Sequence, residues 1–130
     1  MEQQTYAQQL GARFSTLKLN DIDPQSRTAV KKLLMDYLGV ALAGSQSESG
    51  KIARRFAKEH GGKPQARLIG DDARVDINVA AFANAISSHS IELDDIDVLA
   101  LFHFSPPVFS AALCSPCWRT WLATGRSACR

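Results

Sequence analysis

The densest group of ionisable side chains lies in the segment 89–97 (HSIELDDID), together with His103 a few residues later. Four acids fall within six positions: Glu92, Asp94, Asp95 and Asp97. Carboxylates held together at the edge of a buried layer repel one another and lose hydration, so at least one pKa is expected to rise. Such a carboxyl group can take or give a proton near neutral pH. The alternative is an acidic loop that caps the next helix in water, and composition alone favours it.

Two histidines accompany these acids, and histidine with carboxylates suits several divalent ions. The spacing of His89 and His103 matches no specific metal motif, and a hydrogen bond from His89 to a neighbouring acid is the simpler interpretation. We therefore predict no metal site. Cys114 and Cys117 have the spacing of a redox or zinc pair, but no second pair and no thioredoxin-like strand accompany them. The sequence also contains no phosphate-binding glycine loop and no nucleophile elbow.

Hydrophobic periodicity predicts that helices position this segment. The first helix is expected over 3–17. The second begins at Asp23-Pro24, with an acceptor at the cap and proline in the first turn, and ends at Gly44 in a left-handed conformation. The third is capped by Ser47 and is expected to end at 60–64.

Three inward-facing side chains are predicted for the third helix: Ile52, Phe56 and Ala57. A short extended segment is expected at 66–70 (ARLIG). An alanine-rich helix at 76–90 carries so many small residues that we expect it to be buried. The fold class is therefore mainly α, with helices packed in a bundle and at most one short extended segment.

Composition excludes several function classes. The net charge of +2 and the lack of a basic cluster interleaved with aromatic residues argue against nucleic-acid binding. No apolar run reaches roughly 18 residues, so no membrane span is expected. The first residues, MEQQTYAQQL, do not resemble a secretory signal, which makes a cytoplasmic location the expectation.

The last 17 residues differ from the rest of the chain: they hold all three cysteines, both tryptophans and three arginines, with no acid. We therefore predict a helical domain over 1–113 and an unrelated tail over 114–130. A reading-frame slip near residue 113 is our hypothesis for this change in composition.

Two blocks resemble the MmgE/PrpD superfamily, which includes 2-methylcitrate dehydratase and cis-aconitate decarboxylase. Leu33–Ser45 (LLMDYLGVALAGS) is similar to its signature helix, typically LLLDTLGVALAGS. The segment from His89 to His103 is similar to its active-site stretch, H-x-x-D-F-D-D-T…H-P-S. The resemblance covers roughly 5–113 and implies the N-terminal part of a helical domain.

The resemblance also implies an activity. Members act as homodimers, without a metal or organic cofactor, on small citrate-like polycarboxylates, by proton abstraction beside a carboxylate with loss of water or carbon dioxide. By this resemblance Glu92 and His103 are the catalytic residues, and Asp94, Asp95 and His89 bind substrate.

Three departures from the family pattern put activity in doubt. Ile96 stands where a threonine is usual, Phe104 replaces the proline of H-P-S, and Glu92 replaces an aspartate. A displacement of about 1 Å at a reacting group can cost on the order of a hundredfold in rate. The expectation is a truncated lyase-family member of the 2-methylcitrate dehydration type, inactive as a fragment. The alternatives are a small helical interaction module and a nonfunctional truncated product.

Overall fold

The computed structural model describes residues 4–115, and that part of the chain is mainly helical, as the sequence predicts. Its helices are α1 (Tyr6–Ser15), α2 (Pro24–Gly44), α3 (Glu48–His60), α4 (Ile77–His89) and α5 (Ser105–Cys114), with a short 3-10 turn at Leu19–Asp21. Two short strands, β1 (Ala66–Arg67) and β2 (Arg74–Val75), lie between α3 and α4. The chain divides into two compact units, Met1–Lys32 and Leu33–Arg130.

Local capping fixes the helix starts in the first unit. Thr5 forms a capping box with Gln8, whose amide donates to the Thr5 hydroxyl while its side chain accepts from the Thr5 amide. Asp23 accepts from the amide of Ser26 at 2.8 Å, which confirms the predicted cap of α2. Hydrogen bonds from the side chain and from the amide of Ser26 lower the pKa of Asp23. No residue in 4–32 is fully buried.

In the second unit, α2 contributes one face to the core. Tyr37 and Ala41 are fully buried, whereas Leu38 and Leu42 of the same helix are exposed. The Tyr37 hydroxyl shares a hydrogen bond of 2.7 Å with Ser110 of α5. Burial of its phenol raises the pKa of Tyr37 to about 12. The long-range hydrogen bond therefore ties the end of the described chain to its second helix.

Helix α3 packs through its small residues, not its large ones. Gly50, Ala53 and Ala57 are buried, while Ile52 and Phe56 are exposed. The prediction that Ile52 and Phe56 point inward was wrong, although it was right for Ala57. Close helix approach favours a stripe of small side chains at spacings of three and four. The larger apolar side chains then lie on the flanks of that contact.

The two strands form an antiparallel pair in which Ala66 lies opposite Val75. The extended segment predicted at 66–70 contains β1. Its partner strand, β2, was not predicted from the sequence. The loop between them is held by an ion pair between Asp71 and Lys58 of α3. The hydrogen bond from Lys58 is the main reason that the pKa of Asp71 is lowered.

Helix α4 lies in the core of the second unit, as predicted, with five buried residues: Ala80, Ala83, Asn84, Ser87 and Ser88. The end of α2 comes so close to it that a Cβ added at Gly44 would overlap the carbonyl oxygen of Ser87 and lie 2.6 Å from the Ser90 hydroxyl. Gly44 does not have the left-handed conformation that we predicted. Its missing side chain is required for this approach and not for a turn.

Helix α5, for which periodicity gave no prediction, packs against α4 and ends at Cys114. Cys114 is buried, and this burial raises the pKa of its thiol. The rest of the predicted tail, including Cys117, lies outside the described residues. Among the helices at 4–115, none combines the length and apolar character needed to cross a membrane.

Candidate functional site

The acidic segment connects α4 to α5 and is folded back on itself by a tight turn. Asp97 and Phe102 pair through their backbones, with the Asp97 amide donating to the Phe102 carbonyl at 2.9 Å. The Asp97 side chain accepts from the amides of Leu99 and Ala100, both at 2.9 Å. The turn returns the chain so that the His103 ring lies 4.8 Å from the ring of His89, the last residue of α4.

Asp94 lies between these two imidazoles. Its Oδ2 atom is 2.9 Å from Nδ1 of His89 and 3.0 Å from Nδ1 of His103. The His89 contact is a hydrogen bond, and because a carboxylate only accepts, Nδ1 of His89 carries a proton. The His103 contact is close but not aligned as a hydrogen bond. Only 1% of the Asp94 side chain is exposed, compared with 47% for His89 and 28% for His103.

The second carboxylate oxygen of Asp94, Oδ1, is buried and has no hydrogen-bond partner within the described residues. A buried charged oxygen without a partner carries a large desolvation cost. Asp94 forms ion pairs with His89 and His103. Within residues 4–115 it forms none with a lysine or an arginine. The two imidazoles are therefore the groups that offset its charge.

Glu92 lies on the outer side of His89, where its Oε1 atom is 3.5 Å from Nε2 of that ring. Its side chain is 73% exposed. The backbone of Glu92 has a φ of 52°, a left-handed conformation that costs a residue with a Cβ about 1–2 kcal/mol. This conformation turns the chain sharply after α4 and brings Glu92 and Asp94 to the two sides of one imidazole.

The electrostatics of the site favour the charged form of His89. Its pKa is raised, chiefly by the hydrogen bond to Asp94, with further contributions from the charges of Asp94 and Glu92. Partial burial of the ring opposes this effect but is smaller. The imidazole therefore holds its proton to a higher pH than an isolated histidine.

The structure does not bring Asp95 to the imidazoles. Its Oδ1 atom accepts from the amide of Ser105 at 3.0 Å, which supplies the acceptor that Phe104, at the cap position of α5, does not offer. Asp95 thus caps α5, which is the capping role that the alternative interpretation gave to the acidic loop. Ile96 and Phe104, the departures from the family pattern, are both exposed.

An open apolar groove of about 490 Å³ lies beside the two imidazoles. The side chains that line it besides His89 and His103 include Phe82, Ile86, Leu101, Phe102 and Pro106. No function was predicted for these residues from the sequence. A signal for part of the groove was present, because Phe82, Ile86 and His89 follow helical spacing and share one face of α4.

The site therefore combines four of the predicted residues, His89, Glu92, Asp94 and His103, with an apolar wall. An exposed carboxylate and two imidazoles can take and give protons to a molecule lying in the groove. One donor atom each from His89, Asp94 and His103 lies within 4.8 Å of the others, so these three side chains could also hold a divalent cation.

Comparison with known proteins gives one result. The sequence profile of the MmgE/PrpD N-terminal domain matches residues 8–119, which is most of the chain and includes every residue of the site. No curated protein and no solved structure matches the chain.

Proposed function

Because the chain belongs to the MmgE/PrpD family, we propose that this site is part of a lyase centre for citrate-like polycarboxylates, of the 2-methylcitrate dehydration type. The observation that carries the proposal is the buried Asp94 carboxylate between two imidazoles, with the exposed Glu92 carboxylate beside one of them. Elimination of water requires a base that removes a proton and, beside it, an acid that gives one to the leaving hydroxyl.

In the proposed reaction, Glu92 removes the proton from the carbon beside a substrate carboxylate. The electron pair of that C–H bond forms the carbon–carbon double bond, and the hydroxyl on the neighbouring carbon leaves. His103 donates a proton to that hydroxyl, so the leaving group is water. Glu92 suits the role of base because its side chain is largely exposed and lies beside His89, which lines the groove.

The remaining polar residues hold the reacting groups in place. Asp94 is too buried to touch a substrate, so we assign it a positioning role in place of the substrate-binding role that the resemblance implied. Asp95 likewise fixes the start of α5 and, through it, His103. His89 keeps the substrate-binding role, because its Nε2 edge faces outward and its raised pKa favours a cation that can meet a carboxylate.

The same geometry argues that the chain alone binds substrate without turning it over at enzyme-like rates. Glu92 is mostly hydrated, and the groove is open on one side. Proton transfer and charge stabilisation are strongest where water is excluded. Binding and turnover are therefore separate expectations with separate tests.

The test is titration of 2-methylcitrate and of cis-aconitate into the protein, followed by NMR of the imidazole signals. We expect the signals of His89 and His103 to shift with ligand and that of His60, outside the site, to stay constant. His103→Gln should weaken binding, and His60→Gln is the matched control. Absence of any shift at ligand concentrations of about 10 mM, roughly ten times the usual upper KM, overturns the proposal.

Turnover is measured separately, by following loss of substrate and formation of the unsaturated acid. We expect none at enzyme-like rates. If turnover is found and Glu92→Gln abolishes it, the assignment of the base stands but the argument from the open groove fails. If Glu92→Gln leaves such turnover unchanged, Glu92 is not the base.

A second candidate function is a small helical interaction module, including formation of the homodimer that we propose for the full-length form. The observation that favours it is a run of exposed apolar side chains in the turn before α5: Val98, Leu99 and Leu101. Exposed apolar patches commonly mark protein interfaces. Light scattering of the purified chain tests self-association, and a monomer at high concentration counts against a homodimer of this chain alone.

We also propose that the family-related helical domain covers residues 1–113 and that residues 114–130 form an unrelated tail. The family match continues to residue 119, a few residues into the cysteine- and arginine-containing stretch. A reading-frame slip predicts that another frame of the gene beyond this point encodes family-like sequence, and sequencing the gene decides it.

A further inference from the structure

We propose that His89, Asp94 and His103 form a binding site for a divalent transition-metal ion of the zinc type. The three side chains meet at one point, with Oδ2 of Asp94 at 2.9 and 3.0 Å from the Nδ1 atoms of the two histidines. Donor atoms in a zinc site lie about 2.0–2.2 Å from the metal, so neighbouring donors come within roughly 3–3.5 Å of each other. All three donor atoms lie within 4.8 Å of one another, so closing the widest separation to the spacing of a zinc site requires side-chain movement of up to about 1.3 Å.

The state of Asp94 supports the presence of a cation. Only 1% of its side chain is exposed, and its Oδ1 atom has no hydrogen-bond partner in the described part of the chain. Buried carboxylates are normally paired or bound to a metal. A divalent ion would offset this charge more fully than the two imidazoles, and the free oxygen could join the coordination.

Glu92 occupies the position of an outer partner. Histidines that bind metal through one ring nitrogen almost always donate the other N–H to a carboxylate, a backbone carbonyl or water. With Nδ1 of His89 on the metal, Nε2 carries the proton and faces Oε1 of Glu92 at 3.5 Å. The left-handed backbone at Glu92 is what places this carboxylate there.

The location on the fold also favours a cation. His89 is the last residue of α4, where the helix dipole is negative. The neighbouring carboxylate of Asp95 is committed to the amide of Ser105 and is not a ligand. Two histidines and one carboxylate, with a solvent-facing side at His89, give three protein ligands and an open position, an arrangement known for zinc.

This inference goes beyond the proposed lyase function and does not depend on it. A metal ion on Nδ1 requires a neutral imidazole, so a metal-bound His103 cannot carry the second proton that it would donate to a leaving hydroxyl. We therefore expect the bound ion to block the site for the acid–base chemistry proposed above, which makes the two states of the cluster alternatives.

The experiment is titration of tag-free protein with Zn²⁺ by calorimetry and with Co²⁺ by visible absorption. The expected result is one ion bound per chain, with cobalt d–d bands of a four- or five-coordinate site. Glu92→Gln changes an exposed outer partner and is expected to weaken binding about 10–100-fold. His103→Gln removes a ligand and is expected to weaken it by at least the upper end of that range.

Two controls keep the result interpretable. His60→Gln removes the third histidine, which bonds the backbone of Phe56 outside the site, and should leave the affinity unchanged. Far-ultraviolet circular dichroism of every variant shows whether it is folded, and because Glu92 is exposed its variant tests the site even if His103→Gln unfolds.

Three outcomes would overturn the inference. The first is the absence of stoichiometric binding. The second is equal affinity in wild type and in both site variants. The third is a cobalt spectrum with sulfur charge-transfer bands, which would place the ion on the cysteines. None of these outcomes affects the polycarboxylate titration, which is done without added metal, so failure of either proposal is recognised separately.

Discussion

Two glycines of α2 provide a test of how closely this helix approaches α4. A Cβ added at Gly44 would overlap the carbonyl oxygen of Ser87 and lie 2.6 Å from the Ser90 hydroxyl, inside the 3.4 Å at which ordinary contacts begin. A Cβ added at Gly39 meets nothing within 4 Å. Both positions have helical backbone, so Gly39→Ala serves as the matched control for Gly44→Ala.

The two substitutions are expected to change the free energy of unfolding in opposite directions. Alanine is favoured over glycine inside a helix by up to about 1 kcal/mol, so Gly39→Ala should raise the free energy of unfolding. At Gly44 the added methyl must move a backbone carbonyl of α4, and overpacking of this kind costs about 1–3 kcal/mol. We expect the free energies of unfolding of the two variants to differ by about 1–4 kcal/mol, or on the order of 10 °C in Tm for a chain of this size.

Urea unfolding followed by circular dichroism measures both variants against the wild type. The close approach of α2 to α4 is refuted if Gly44→Ala is as stable as the wild type. Equal destabilisation by Gly39→Ala would show that the cost comes from the helix itself and not from contact with Ser87.

Three further predictions concern pH and capping. Tyr37→Phe should lower the free energy of unfolding by about 1–3 kcal/mol at neutral pH, because the buried Ser110 hydroxyl loses its partner. Since the pKa of Tyr37 is raised to about 12, its contribution is present below pH 10 and is lost as pH rises through 12. The difference in free energy of unfolding between wild type and Tyr37→Phe should therefore be constant below pH 10 and narrow as pH rises from 10 to about 12 in urea unfolding, and a constant difference across that range contradicts the assignment. Asp71 has a lowered pKa, so its contribution is present above the unfolded value of 3.8 and is lost as pH falls through the folded value. In a plot of Tm against pH, Asp71→Asn should reduce the fall in Tm at acid pH. A fall as steep as that of the wild type contradicts this role of Asp71. Asp95→Ala removes the acceptor for the Ser105 amide and should cost about 1 kcal/mol, read by thermal unfolding, with a shift of the His103 NMR signal. No loss of stability would show that water caps α5 equally well.

Local sequence determined the starts of α2 and α3. The caps at Asp23 and Ser47 were predictable because each depends on a side chain and an amide three residues away. The burial of one face of α4 was predictable because its small side chains suit close packing. The block 33–45 also indicated the family, which the profile match confirms.

The position of the large apolar residues of α3 was not predictable from α3 alone. Periodicity placed Phe56 and Ile52 on the inward face, but the buried stripe is formed by Gly50, Ala53 and Ala57. Which stripe faces inward depends on the neighbour, and α4 presents small residues that allow a close approach only to other small residues. The same reason explains Gly44, whose role appears only in the distance to Ser87.

The acidic segment with its two histidines shows the same division between what sequence and tertiary structure determine. Residue types and spacing were enough to nominate His89, Glu92, Asp94, Asp95 and His103. They did not show which carboxylate lies between the imidazoles, because that depends on the turn at 97–102, the left-handed backbone at Glu92 and the cap that Asp95 gives to α5. The sequence by itself determined the chemistry available, and the tertiary structure decided that Asp94 is the buried partner, since contacts between residues far apart in the chain are set by how the backbone turns between them.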